Sequence, residues 1–72
     1  MEVALKYTIE TEKEVDGRWL AEIRDLPGVL AYGNTEEEAM TKAETLALRV
    51  LADRLESHEC RPMSISISLT QA

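Results

Sequence analysis

The chain has 72 residues, with 14 acidic and 8 basic side chains and a formal net charge of −6 at pH 7. This length allows one small domain, residues 1–72, and the scattered basic residues argue against direct nucleic-acid binding, which needs clustered Lys and Arg. The single cysteine, Cys60, excludes an internal disulfide framework and suits a reducing compartment. Because the sequence shows neither a signal-peptide core nor a bilayer-spanning apolar run, we expect a cytoplasmic protein.

Alternation of apolar and polar residues predicts the first two strands. Apolar side chains recur at every second position over residues 3–9 and again over residues 19–23, the period of a half-buried strand. Between them, residues 13–17 are polar and end in Asp-Gly, which is a hairpin signal. Trp19, Ala21 and Ile23 occupy every second position and so share one face of the second strand. We therefore expect Trp19 in the core, and the alternative is that it is a binding anchor.

A turn and a third short strand follow. In residues 25–28, Pro27 fixes φ and Gly28 relieves the steric demand of the turn. Residues 29–32 are apolar and short, which favours a strand. Gly33 interrupts the pattern, and we expect a positive φ there because glycine adopts that conformation without a steric penalty.

A helix is predicted over about residues 36–56. Thr35 and Glu38 have the spacing of a capping box, in which each side chain bonds a free backbone N–H at the helix start. One apolar stripe at helical spacing contains Ala39, Ala43, Leu46, Ala47 and Val50.

The rest of the helix and the end of the chain complete the predicted elements. Leu48, Leu51 and Leu55 make the apolar surface of the helix wider than packing on one sheet requires, so we expect a homodimer or larger assembly. A polar connector over residues 57–62 leads to a fourth strand at 63–69, where apolar residues alternate with serines.

The element order β-β-β-α-β predicts an α+β two-layer sandwich. We expect an antiparallel meander of three strands, one helix on one sheet face, and a fourth strand. The other sheet face has no helix to cover it, and Leu20 lies there. The sequence leaves open which face carries Leu30 and Tyr32. If they join Leu20, the three form an apolar patch of the kind that marks a partner surface.

We find no constellation of residues for catalysis or metal binding. Glu36, Glu37 and Glu38 suit the positive end of the helix dipole better than metal or acid–base chemistry. His58 has no nucleophile or carboxylate at a recognisable spacing, and Cys60 has no activating pattern. Phosphate-binding glycine motifs are absent from the sequence. We therefore expect no enzymatic activity, no metal and no cofactor.

An ordered set of motifs over residues 3–52 resembles the N-terminal domain of the HicB-like antitoxin family. The segments that carry the resemblance are Tyr7, Asp16-Gly17, Trp19-Leu20-Ala21-Glu22-Ile23, Leu26-Pro27-Gly28, Gly33-Asn34-Thr35 and Glu37-Glu38-Ala39. The resemblance implies a β-β-β-α-β fold, described as a partial ribonuclease H-like arrangement. It also implies fold-determining roles for Pro27, Gly28, Gly33, Thr35, Glu38 and Ala39.

The resemblance further implies a partner. Members of this family neutralise HicA, a small basic RNA-cleaving toxin, by covering its active site. Fuller members carry a C-terminal DNA-binding domain that has no counterpart in this sequence, so we expect a short form without operator binding. The family motif does not define the contact residues, so we take the candidates from their expected positions in the fold. They are Leu20, Leu30 and Tyr32, for an apolar patch, and Asp25, Glu36 and Glu37, whose exposed carboxylates would stand in for RNA phosphates.

Two alternatives stay open beside the antitoxin interpretation. One is a stand-alone oligomeric binding or regulatory domain with no toxin partner. The other is an enzyme, which the missing catalytic constellation disfavours. Co-purification with a basic partner would separate the antitoxin from the stand-alone domain, and a metal-dependent nuclease assay would test the enzyme.

Overall fold

The structure is a computed structural model, which describes the backbone of residues 2–57 and 64–72 and the side chains of residues 4–56 and 67–72. Its elements are β1 (Glu2–Lys13), β2 (Trp19–Glu22), β3 (Leu30–Gly33), α1 (Glu36–Ser57) and β4 (Ser64–Gln71). The predicted order and the α+β class are confirmed: one helix packs on a four-stranded mixed sheet.

The sheet has the strand order β3-β2-β1-β4. β1, β2 and β3 form the predicted antiparallel meander, because short turns join them. β4 returns after the helix and pairs with β1 in parallel, so the chain crosses over the sheet between β3 and β4. This crossover makes the sheet mixed rather than wholly antiparallel.

β1 serves two partners along its length. Residues 2–9 pair with β4, from Glu2 opposite Ser64 to Ile9 opposite Gln71. Residues 10–13 pair instead with β2. The strand therefore runs four residues beyond the predicted 3–9 segment at its C-terminal end, because β2 supplies hydrogen-bond partners to a polar stretch that carries no apolar alternation.

The core lies between α1 and the sheet. Ala39, Ala43 and Ala47 are fully buried and four residues apart, so the helix approaches the sheet on a row of small side chains. Leu51 continues this row and is 4% exposed, which corrects the expectation that it adds to the surplus apolar surface. Leu48 is 49% exposed, as its place outside the stripe predicts.

Two glycines have the positive φ that their turns require. Gly17, at φ 93°, closes the β1–β2 hairpin, where the Gly17 N–H donates to the Glu14 carbonyl at 3.0 Å. Gly28, at φ 83°, lies in the turn between β2 and β3. The expected positive φ at Gly33 is wrong. Gly33 ends β3 in extended conformation, and a Cβ there would lie 2.6 Å from the Ala39 backbone nitrogen, so helix approach is what excludes a side chain.

The predicted connector falls largely outside the described residues. Residues 58–63 lie outside the described residues, and they include His58, Cys60 and the predicted start of the fourth strand at Met63. Among the residues that are described, no helix has both the length and the apolar character needed to cross a membrane.

Candidate protein-binding surface

The strand register brings three predicted contact residues together on the sheet face opposite α1. Ala21 and Ile23 are fully buried toward the helix, so alternation places Leu20 on the opposite face. Leu20 lies directly across from Tyr32, and Leu30 lies across from Glu22. Leu30 and Tyr32 are each 41% exposed, whereas Leu20 is half-buried. We call Leu20, Leu30 and Tyr32 the open-face cluster.

Arg18 lies over this cluster. Its guanidinium carbon is 4.6 Å from the centroid of the Tyr32 ring, a cation–π distance. Asp16 holds Arg18 in place: its carboxylate accepts hydrogen bonds from the Arg18 backbone N–H at 3.0 Å and from Nε at 2.8 Å. These bonds, the backbone one first, hold the pKa of the Asp16 carboxyl below its ordinary value.

Arg18 was missed in the sequence-based list of contacts. Arg18 lies two residues before Leu20, and this spacing in an extended chain indicates that both side chains lie on the same face. The contact of Arg18 with Tyr32 depends on how β2 pairs with β3, and the local sequence pattern does not determine that pairing.

The rest of the open face is charged and largely paired. Arg24 Nε lies 2.8 Å from a Glu10 carboxylate oxygen and 3.6 Å from one of Glu22. Glu12 lies opposite Leu20, and Leu20 lines a shallow depression of about 210 Å³ together with these charged side chains. The open face thus has an apolar cluster at Leu20, Leu30 and Tyr32, and charged side chains at the end of β2 and on β1.

The predicted acidic contacts do not join the cluster. Asp25 is exposed in the turn after β2, whereas Glu36 and Glu37 begin the helix after β3. Because β2 and β3 are antiparallel, these two connections lie at opposite ends of the strand pair. Glu36 also belongs to the helix layer, where it accepts a 2.7 Å hydrogen bond from the Thr11 hydroxyl. The six predicted contacts therefore occupy three separate places.

The residues expected to determine the fold lie in the turn after β2 and at the helix start. Pro27 and Gly28 are exposed in the turn. The Thr35 hydroxyl accepts a hydrogen bond from the Glu38 N–H at 3.1 Å, so Thr35 is the predicted N-cap. In a complete capping box the Glu38 carboxylate would also accept a hydrogen bond from the Thr35 backbone N–H. Here that carboxylate instead lies 3.2 Å from Lys42 Nζ.

Two further observations describe the chemistry of the site. Trp19 is half-buried and packs against the core, so the core interpretation of this residue is confirmed.

Within residues 2–57 and 64–72, no three His, Cys, Asp or Glu side chains are close enough to share a metal ion.

Comparison with known proteins assigns no family to this fold and surface. No protein-family model matches the chain, and no significant match arises among characterised proteins or among solved structures. The HicB-like resemblance therefore remains a prediction from the sequence.

Proposed function

We propose that this protein is a non-catalytic binding module that covers a small basic RNA-cleaving protein with the open face of its sheet. The observation that carries the proposal is the open-face cluster, where Leu30 and Tyr32 remain 41% exposed on a sheet face without a helix. Exposed apolar side chains grouped in this way are typical of protein–protein contact surfaces.

The class of partner follows from the HicB-like resemblance and from charge. A chain with net charge −6 attracts a cationic, RNA-binding surface and steers it during diffusional encounter. The ion pairs of Arg24 with Glu10 and Glu22 are partly exposed, so they contribute to association rate more than to affinity. The apolar cluster would supply the affinity.

The first experiment is to inspect the reading frames adjacent to this one for a short basic protein and, where one is encoded, to co-express it with this protein. Growth arrest by that frame alone, relieved when this protein is present, supports the proposal. A harmless frame, or one that forms no complex with this protein at low salt, contradicts it and leaves the stand-alone oligomeric domain as the better account.

Variants then locate the surface. Leu30→Ala and Tyr32→Ala should each weaken the complex at least roughly tenfold if they are central anchors. Leu48→Ala is the matched control, because Leu48 is similarly exposed but lies on the helix, away from the open face. Equal effects from Leu48→Ala and Leu30→Ala would contradict the assignment of the open face. Association should also slow as salt rises, since steering is screened.

A further inference from the structure

β3 is one of the two terminal strands of the sheet, β4 being the other, and the outer edge of β3 carries free backbone groups. The Ile23 N–H donates to the Val29 carbonyl at 3.0 Å, which makes residues 23 and 29 a hydrogen-bonded pair. Antiparallel pairs alternate, so Leu30 and Tyr32 occupy non-hydrogen-bonded positions whose N–H and C=O groups point away from β2. The Leu30 N–H turns to the Gly28 carbonyl at 3.2 Å. The outward groups are therefore the Leu30 C=O and both groups of Tyr32.

The exposed surface on both sides of this edge is mostly apolar, and Lys42 and Arg49 border it on one side. On one side lies the open-face cluster. On the other, a groove of about 330 Å³ runs between β3 and α1, and it is lined by Ala31, Thr41, Lys42, Thr45, Leu46 and Arg49. β3 has only four residues, and a short edge strand limits pairing, but it contains no charged residue and no proline, which are two other features that protect an exposed edge.

We propose that a second copy of this chain adds to the β3 edge, antiparallel, about a two-fold axis at Ala31. In this register Leu30 of each copy pairs with Tyr32 of the other, so the outward C=O groups of both residues and the N–H of Tyr32 face the opposite strand. The two four-stranded sheets become one eight-stranded sheet. The two open-face clusters then join across the axis into one apolar surface.

Charge selects this register over its neighbours. Arg18, whose Nε bonds Asp16 at 2.8 Å, lies over Tyr32, and Glu22, which lies 3.6 Å from Arg24 Nε, is beside Leu30. Both side chains keep these partners within their own copy, and a contact between copies adds to them. Placing Leu30 opposite Tyr32 of the second copy brings Glu22 toward the Arg18 of that copy, twice by symmetry. A shift that places Tyr32 opposite Tyr32 would bring two arginines together, and one that places Leu30 opposite Leu30 would bring two glutamates together. Like charges across strands are destabilising, so the edge is self-complementary in one register.

Self-complementarity is also what favours a second copy over a strand of another protein. The strip has its apolar pair at the centre, a cation at one end and an anion at the other. An antiparallel copy of the same strip therefore matches it residue by residue. The small core adds a reason, because among residues 4–56 and 67–72 nine side chains are buried, and four of these, at positions 21, 39, 43 and 47, are alanine. A small domain of this kind gains from burial on association.

Cysteine cross-linking tests the register in the protein alone, so the outcome does not depend on the proposed function. Ala31 of the two copies would be a non-hydrogen-bonded pair with Cα atoms about 4.5 Å apart, within disulfide reach. In a Cys60→Ser background, Ala31→Cys should form a disulfide-linked dimer under mild oxidation. The matched control is Leu30→Cys in the same background, because two residues at position 30 are too far apart in this register. Failure of Ala31→Cys to cross-link, or equal cross-linking of the control, overturns the proposal.

Sedimentation tests the edge itself. The wild-type protein should sediment as a dimer at micromolar concentration, and Tyr32→Pro should be a folded monomer, because the lost N–H points outward and makes no bond to β2. Should Tyr32→Pro unfold, Arg18→Glu gives the second test. It should weaken the dimer roughly tenfold, and Arg18→Glu with Glu22→Arg should restore it. A monomeric wild type overturns the proposal. So does a Tyr32→Pro variant that folds and still forms the dimer. If Tyr32→Pro does not fold, an unchanged dimer in Arg18→Glu overturns it instead.

Discussion

Thr35 and Gly33 set the start of the helix through two different physical effects. The Thr35 hydroxyl satisfies a backbone N–H that has no partner within the helix, at 3.1 Å from the Glu38 nitrogen. Gly33 acts by having no side chain, so that the first turn of α1 approaches β3 closely. Both residues were singled out from the sequence, but only Thr35 for the reason that the structure shows.

Thr35→Ala should lower the free energy of unfolding by about 1 kcal/mol, the usual cost of losing an N-cap. Urea denaturation measures this change as a shift in midpoint. Thr45→Ala is the control, because Thr45 is exposed in the middle of the same helix and its hydroxyl bonds only the Thr41 carbonyl. An unchanged midpoint for Thr35→Ala would mean that the cap contributes nothing.

Gly33→Ala should cost more than Thr35→Ala, about 1–3 kcal/mol, because a Cβ 2.6 Å from the Ala39 nitrogen forces β3 and α1 apart. Gly17→Ala is an instructive comparison, since its Cβ meets nothing within 4 Å and its cost comes only from φ at +93°. Gly33→Ala with an unchanged unfolding midpoint would show that the helix start adjusts freely.

The pH response of the β1–β2 hairpin should depend on Asp16. The pKa of its carboxyl is lowered in the folded chain. The bonds to Arg18 therefore stabilise the hairpin fully at pH values above the ordinary carboxyl pKa, where the carboxylate is charged in both states. That contribution is lost as pH falls through the lowered folded-state pKa. Carboxyl NMR shifts should show an Asp16 titration midpoint that rises partway in Arg18→Ala, because the backbone N–H bond remains. A midpoint unaffected by Arg18→Ala would contradict a side-chain contribution.

At the scale of elements, the alanine row of α1 determines how closely the helix lies on the sheet. Ala39, Ala43 and Ala47 are all fully buried, and the helix makes most of its contacts with β3 and β2. Larger residues there would push the two layers apart. The exposed side of the same helix has no such constraint.

Ala43→Leu should therefore destabilise the fold by about 1–3 kcal/mol through overpacking. Ala52→Leu makes the same substitution at an exposed position of α1 and should stay within about 0.5 kcal/mol of wild type. Thermal or urea unfolding of the two variants separates packing from helix propensity. Similar losses in both variants would argue against close packing at Ala43.

At the scale of the whole molecule, β1 joins two parts of the sheet. Its first eight residues pair with β4 and its last four pair with β2, and fully buried Ile9 lies at the change of partner. A domain of this length has a total stability of roughly 4–11 kcal/mol. A loss of a few kcal/mol from packing around Ile9 would therefore be a large share of the total.

Ile9→Ala should cost about 2–5 kcal/mol, which is enough to unfold a large fraction of the protein if the total is near its lower limit. Ile67→Ala removes the same atoms from β4, where the side chain is 37% exposed, and should cost less than half as much. Denaturant midpoints of the two variants give the comparison. Equal losses would contradict the central place of Ile9.

Much of the fold could be predicted because its signals are local. The helix start at Glu36 and its end at Ser57 lie within one residue of the predicted bounds, since a cap and a helical stripe are read within a few turns. Less of the candidate site could be predicted. Leu20, Leu30 and Tyr32 were named, but Arg18 was not, and Asp25 was grouped with residues that lie at the other end of the strands.

The sequence alone determined which segments are strands and which is the helix, because alternation, turn glycines and a helical stripe each act within a few residues. Tertiary structure alone decided three things: that β4 pairs with β1 in parallel, that Leu30 and Tyr32 share a face with Leu20, and that the acidic residues predicted as contacts lie outside the open-face cluster. Each of these depends on strand register between residues distant in the chain. A register shift of one residue would leave the local pattern unchanged and still move every side chain to the other face.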